Sequence, residues 1–141
     1  MFAPDVQGPM STRTLELIKA AKPQVLFLGG PPFYLGGFKV DESQLQMALK
    51  NLTSIVEVVP VTVLEHHALR DESWQKRTRE THDAAIQAGH QILTAAEFAG
   101  EKNRFLESTR KQLYAEAPPS KEFERWMHLN PMEKSKQKPP L

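Results

Sequence analysis

The sequence of 141 residues contains no cysteine. This absence excludes a disulfide framework and thiolate metal sites, so any metal ion has to be held by histidine and carboxylate side chains. The chain also has no excess of charge of one sign, because its formal net charge is only +1. That near balance gives no overall field that would attract nucleic acid or an anionic membrane surface.

Long apolar runs are missing as well. No stretch approaches the roughly 20 apolar residues that span a bilayer. The opening segment, MFAPDVQGPM, lacks the basic and apolar parts of a signal peptide. A chain without cysteine also fits a reducing compartment. We therefore expect a cytoplasmic protein with no membrane segment.

The composition that is present is that of an ordinary globular domain, with 40% hydrophobic and 25% charged residues. A chain of this length and composition can bury one core of useful size. We place the domain at residues 1–130. The remaining residues, 131–141, are basic, contain proline and have little to bury, so we expect a flexible tail.

Short apolar runs alternate with segments of helical periodicity. Four runs predict strands: residues 2–6, QVLFLGG at 24–30, VEVVPVTVLEHH at 56–67 with Pro60 at the start of the strand, and QILT at 91–94. Continuous rather than alternating apolar composition is typical of strands buried on both faces. The order of the elements predicts an α/β layer with a mostly parallel sheet.

Capping residues mark where the first two helices begin. Ser11 or Thr12 is a candidate cap for the first helix. Asp41 and Gln44 have the spacing of a capping box for the second. Both helices are followed by a predicted strand, which completes the alternating pattern.

The second half of the chain predicts further helices. One begins near Asp71 or Ser73, and another spans residues 101–117 with Leu106 and Leu113 facing inward. A short C-terminal helix follows Pro118 and Pro119. The inward face of the helix after Asp71 is expected to hold Trp74, Thr78, Thr81 and Ala85.

Three polar or glycine-rich features follow predicted strands. Asp5 follows the first strand, Gly29 and Gly30 follow the second, and His66 and His67 end the third. The carboxyl ends of parallel strands form one edge of a sheet, and ligands bind at that edge. Since neighbouring residues on a strand point to opposite faces, we expect one histidine to face a pocket and the other to pack or form hydrogen bonds.

Each feature also has an ordinary structural interpretation. A histidine pair at a strand end is more often structural than metal-binding, and Asp5 can simply cap a turn. The segment from Gly29 to Pro32 lacks the spacing of a dinucleotide or phosphate-binding loop. Asp5 and one histidine are suitable ligands for a divalent ion, yet catalytic zinc uses about three protein ligands. The residues by themselves therefore indicate at most half of a metal site.

Several segments together resemble one known family. FAPDVQGP, VLFLGGPPFYL, VLEHHALRD and LTAAEFAG, followed by FLESTRKQLYAEAPPSKEFERW, resemble the C-terminal half of an archaeal-type group in the metallo-β-lactamase superfamily. The resemblance extends from Phe2 to about Trp126. HHALR in particular resembles the late His-x-x-x-Arg motif of tRNA-processing and related nuclease members.

The resemblance implies half of an αββα sandwich and a metal-dependent hydrolase of esters or phosphodiesters. It assigns Asp5 as the aspartate that bridges two metals and His66 as the last metal-binding histidine, with one or two zinc ions in the complete fold. His67 would then support its neighbour by packing or hydrogen bonding. Arg70 would orient the site or meet an anionic substrate.

The chain departs from the family pattern in three places. The His-x-His-x-Asp-His motif that supplies most ligands is absent, Glu65 replaces an aspartate before the histidine pair, and Pro4 replaces a serine before Asp5. We therefore expect weak metal binding and no hydrolysis by this chain alone. Its partner would be the missing N-terminal half or a complementing chain that covers the apolar inner face of the sheet.

Two other functional classes stay open. One is a small-molecule or nucleotide-binding domain, for which GGPPFYLGG is the only candidate loop, although its prolines lack N–H donors. The other is a non-catalytic interaction module that uses the same apolar face. Nucleic acid is not indicated by net charge, but a local patch of basic side chains keeps it possible: Arg70, Lys76, Arg77 and Arg79.

Overall fold

The computed structural model describes residues 1–140 and divides into two compact units. The first comprises Met1–Ser108, and the second begins at Thr109. Leu141, the last residue of the predicted tail, lies outside the described residues. No helix in the described part of the chain is long and apolar enough to cross a membrane.

The first unit is built on a four-stranded sheet in the order β1-β2-β3-β4, with every pairing parallel. This confirms the predicted α/β class. Leu28 is paired with Ala3 on one side and Leu64 on the other, and Leu64 is in turn paired with Thr94. The carboxyl ends of all four strands are therefore level. The strands are β1 Phe2–Ala3, β2 Val25–Gly29, β3 Val61–Glu65 and β4 Gln91–Thr94.

Six helices accompany these strands, and a 3-10 turn at Phe33–Leu35 follows β2. The Ser11 hydroxyl accepts a hydrogen bond from the Thr14 amide, and the Asp41 amide donates to the Gln44 side chain, as the capping patterns predict. The helices are α1 Thr12–Ala21, α2 Glu42–Val56, α3 His66–Leu69, α4 Trp74–Arg77, α5 Arg79–Gln87 and α6 Ala95–Phe98.

The main core lies between one face of the sheet and the helices α1, α2 and α5. Successive strand residues point to opposite faces, and Leu26, Leu28 and Leu64 belong to the cluster that packs against the helices. Leu45 and Leu52 of α2 are fully buried in it. The predicted inward residues of the third helical segment are also buried, namely Trp74, Thr78, Thr81 and Ala85.

The opposite face of the sheet carries an aromatic row. The ring of Phe27 lies 6.2 Å from that of Phe2 and 5.3 Å from that of Phe98. Phe2 is 69% exposed and Phe98 is 46% exposed. Contiguous exposed apolar surface is a common feature of interaction sites in proteins. We refer to Phe2, Phe27 and Phe98 as the aromatic face.

The helix predicted over residues 101–117 is mostly wrong. Only α7, Arg110–Glu116, is helical, and Leu106 and Leu113 are exposed rather than inward. The Asn103 side chain explains the difference, because it accepts a 2.6 Å hydrogen bond from the Thr94 hydroxyl and donates a 2.9 Å bond to Glu97. These contacts hold the chain against the end of β4 in a non-helical path.

The second unit contains three short helices: α7, α8 Lys121–Met127 and α9 Pro131–Lys134. Ser120 caps α8, and the rings of Phe123 and Trp126 stack 5.9 Å apart within it. The α9 turn lies inside the segment that we expect to be a flexible tail. The domain boundary at residue 130 stays a prediction.

His82 on α5 should make the fold sensitive to acid. Burial lowers its pKa below the usual 6.5, against smaller opposing effects of Glu97 and Asp83. The folded chain therefore binds fewer protons at His82 than the unfolded chain, and stability is lost as pH falls through 6.5. We expect His82→Gln to lose less stability than the wild type between pH 7 and 5 in urea unfolding. His128→Gln, at an exposed position, is the control. Equal losses in the wild type and His82→Gln would contradict this assignment.

Candidate metal centre

Three ligand-type side chains meet at the carboxyl edge of the sheet. Asp5 lies in the turn after β1, and His66 and His67 are the first residues of α3, directly after β3. One donor atom from each lies within 4.8 Å of the others. The sequence therefore predicted correctly that Asp5 and His66 come together.

The two glycines after Leu28 allow this meeting. A Cβ on Gly29 would lie 1.7 Å from the Pro4 carbonyl oxygen, and one on Gly30 would lie 2.6 Å from the Ala68 Cβ. Contacts below 3.0 Å are not tolerated, so only glycine lets the Asp5 turn and α3 pack directly on the end of β2. The pair therefore serves close packing at the end of β2.

The expectation that His66 and His67 point to opposite faces is wrong. Strand β3 ends at Glu65, and both histidines belong to a helical turn. Their ring centroids are 4.2 Å apart, so both can contribute to one site. His66 is about half exposed, with Nδ1 3.8 Å from the Glu65 carboxylate, whereas the His67 side chain is only 12% exposed.

A chain of hydrogen bonds runs through His67. Its Nε2 lies 3.1 Å from Asp5 Oδ1, and its Nδ1 lies 3.3 Å from the Tyr34 hydroxyl. In the tautomer that carries its proton on Nε2, His67 donates to the Asp5 carboxylate and its Nδ1 accepts from the Tyr34 hydroxyl. Arg70 Nη1 in turn donates to the Tyr34 oxygen over 3.1 Å. His67 is thus oriented from both ends and holds Asp5 in place.

Tyr34 is the site residue that sequence reasoning missed. Its ring stacks on His67 with centroids 6.5 Å apart, and Arg70 lies 5.4 Å from its ring centre. The sequence feature that could have identified Tyr34 is its position in GGPPFYLGG, the loop that follows β2 at the carboxyl edge of the sheet. The sequence did not indicate that the loop folds back toward α3.

Arg70 also borders a pocket of about 370 Å³, with His66 on the same wall. The other basic residues suggested as a patch do not join it. Arg77 forms an ion pair with Glu42 at 3.6 Å and lies on the Phe33 ring. The pocket is therefore next to the histidines and separate from the basic side chains of α4 and α5.

The donor set fits a divalent ion such as zinc. Two imidazoles and a carboxylate are ordinary zinc ligands, with bond lengths of about 2.0–2.2 Å. Two donors on one tetrahedral ion are then about 3.3 Å apart, so the present separation of up to 4.8 Å would have to shorten by about 1.5 Å through movement of the exposed Asp5 and His66 side chains. Within residues 1–140 this cluster offers three candidate ligands, which is too few to complete the coordination of two metal ions.

Comparisons with known proteins identify relatives of part of the sequence. No family model and no solved structure matches. A UPF0282 protein of Pyrobaculum islandicum is 39% identical over 119 residues, which is 84% of this chain and 37% of that protein. The UPF0282 protein of Pyrobaculum neutrophilum is 40% identical over the same shares. That of Aeropyrum pernix is 38% identical over 81% of this chain and 40% of its own length.

These similarities cover most of the chain but a minor part of its relatives. The chain spans about 37–40% of the length of these three curated relatives. Over that segment it is a homologue of the archaeal UPF0282 proteins.

Proposed function

We propose that this chain supplies part of the zinc site of a metallo-β-lactamase-fold hydrolase. The observation that carries the proposal is the convergence of Asp5, His66 and His67, with donor atoms within 4.8 Å. In this proposal Asp5 and His66 would hold the zinc ion, and Asp5 would be shared with a second ion where one binds. Bound zinc would supply an activated water near neutral pH and polarise an ester or phosphodiester.

His67 has the supporting role in this proposal. Its Nε2 already lies 3.1 Å from Asp5 Oδ1, and the Tyr34 hydroxyl lies 3.3 Å from the other ring nitrogen. Groups that orient metal-bound carboxylates and imidazoles in this way typically change metal affinity by about 10–100-fold. Arg70, held by Tyr34, is placed to meet a negative charge on the substrate.

The remaining ligands would come from outside residues 1–141. Catalytic zinc needs about three protein ligands per ion, and two ions with a shared aspartate need more than this cluster offers. The relatives have more than half of their length outside the matched segment. We propose that the corresponding segment, or a complementing chain, supplies these ligands and packs on the aromatic face.

Zinc titration tests the proposed site directly. Followed through the side-chain nitrogens of the five histidines by NMR, zinc should shift His66 and His67 first and leave His90 and His128 unchanged. Affinity should be weak, and the isolated chain should not hydrolyse bis(p-nitrophenyl) phosphate. Simultaneous broadening of all the histidines would indicate adventitious binding and contradict the proposal.

The aromatic face leads to a prediction about self-association. Without a covering segment, Phe2 and Phe98 expose apolar area that favours contacts between copies of the chain. The double variant Phe2→Ser, Phe98→Ser should therefore remain monomeric at concentrations where the wild type associates in sedimentation velocity. Phe38→Ser is the matched control, because Phe38 is 80% exposed but lies in the loop after the 3-10 turn. A fully monomeric wild type would show that the face needs no cover.

The two other functional classes, a nucleotide-binding domain and a non-catalytic interaction module, differ from a metal site in structure or in expected results. A nucleotide-binding loop needs backbone N–H donors, and here Gly29 and Gly30 are packed against Pro4 and Ala68. A pure interaction module would show the self-association of the aromatic face without any response of His66 to zinc.

A further inference from the structure

We propose that the pocket beside His66 binds the phosphoryl group of a small phosphate ester through Arg70 and Arg104. This inference rests on the proposed function and deepens it, since it names the substrate class of the same site. The pocket opens next to a candidate ligand, His66, and Arg70 and Arg104 both line it. A phosphoryl group held by these arginines would lie beside the metal centre.

Arg70 is a pre-positioned cation without a counter-ion. One of its N–H groups donates to Tyr34, and its guanidinium lies 5.4 Å from the Tyr34 ring centre. Within residues 1–140 it forms no ion pair with a carboxylate. A guanidinium has five N–H donors in a planar fork that suits phosphate oxygens. Tyr34 uses one of them and limits how far the side chain can turn, so the others remain for a ligand.

Arg104 reaches the same pocket from a different segment. It follows Asn103, whose side chain is bonded to Thr94 at 2.6 Å and to Glu97 at 2.9 Å. The backbone next to Arg104 is therefore anchored to the carboxyl end of β4. Arg70 and Arg104 therefore line one pocket from two separate segments of the chain. Glu107 also lines the pocket, and the two guanidinium charges outnumber its single carboxylate.

The size and the remaining wall of the pocket indicate the rest of the ligand. The volume of about 370 Å³ is at the lower end of small-molecule sites. Leu69, Ala95 and Phe105 give the pocket an apolar wall. That wall suits an uncharged ring or aliphatic group attached to the phosphate. In a small phosphate ester the phosphoryl group can contact the arginines and the organic group can contact the apolar wall. Inorganic phosphate can contact only the arginines.

The test measures anion binding to the metal-free chain, so that it does not depend on zinc. In the presence of EDTA, phenyl phosphate should shift the backbone amides of Ala95 and Ala96 in NMR spectra with a Kd of about 1–10 mM. Inorganic phosphate should bind more weakly, and benzoate, which has the ring without the phosphoryl group, more weakly still. Arg70→Gln and Arg104→Gln should each weaken phenyl phosphate binding about tenfold, the usual loss for a hydrogen bond to a charged group. Arg13→Gln, an exposed arginine on α1, should change nothing.

Several outcomes would overturn the inference. These are the absence of a shift at Ala95 and Ala96, unchanged binding in both arginine variants, or benzoate binding as tightly as phenyl phosphate. Zinc affinity of Arg104→Gln should equal that of the wild type, and a drop would show that Arg104 acts through the metal centre instead. If phenyl phosphate binds as expected while zinc does not bind at His66, the pocket stands and the proposed metal function fails.

Discussion

Gly29→Ala is expected to destabilise the chain by about 3 kcal/mol or more, within the upper range for overpacked sites. The new Cβ would be 1.7 Å from the Pro4 carbonyl oxygen, 2.6 Å from the Pro4 carbonyl carbon and 3.2 Å from His67 Cδ2. Two of these neighbours are backbone atoms, which cannot turn away as a side chain can. The Asp5 turn would have to lift off the end of β2, and Asp5 would move away from His67.

Urea unfolding followed by circular dichroism measures the loss in the free energy of unfolding. In thermal unfolding the melting temperature should fall by roughly 10 °C. Gly100→Ala is the matched control. Gly100 has φ of +74° and nothing within 4 Å of the added Cβ, so only the backbone conformation is penalised, by about 1 kcal/mol. If Gly29→Ala is no less stable than Gly100→Ala, the Asp5 turn does not pack on β2 as described.

The second large effect is expected in zinc binding. Asp5→Ala and His66→Ala should each abolish detectable zinc binding. The ion has few ligands in this chain, so the removal of one leaves it too weakly held to detect. His67→Ala should reduce affinity by about 10–100-fold, the usual effect of a residue that orients a ligand. Competition with a chromophoric chelator gives these affinities. His128→Ala, at an exposed position of the second unit, should bind zinc like the wild type.

The relative size of the histidine effects separates two assignments. A larger loss of zinc affinity for His67→Ala than for His66→Ala would make His67 the ligand and His66 the supporting residue. The cluster would still be a metal site. Normal binding by Asp5→Ala and by both histidine variants would instead remove the metal site altogether.

The sequence predicted the parts of the fold that depend on local pattern. Apolar runs bounded by glycine or proline identified the strands, and capping residues identified α1 and α2. Because parallel strands end at one edge, the same pattern also predicted that Asp5 and His66 lie close together. The level ends of the paired strands confirm that reasoning.

The parts that the sequence did not predict depend on contacts between distant residues. Tyr34 joins the site through a loop that folds back on α3, and no local spacing indicates such a contact. Asn103 bonds to Thr94 and stops a helix that the periodicity of residues 101–117 favours. The strand ended at Glu65 rather than at His67, a shift of two residues that changes which way both histidines point.

Anomalous X-ray diffraction at the zinc absorption edge, on crystals of the zinc-loaded chain, shows directly whether Asp5 and His66 hold the same ion. We expect a peak at the carboxyl edge of the sheet, about 2.0–2.2 Å from an Asp5 oxygen and from a nitrogen of His66. A peak only at His82, His90 or His128, or none within bonding distance of Asp5, would contradict it.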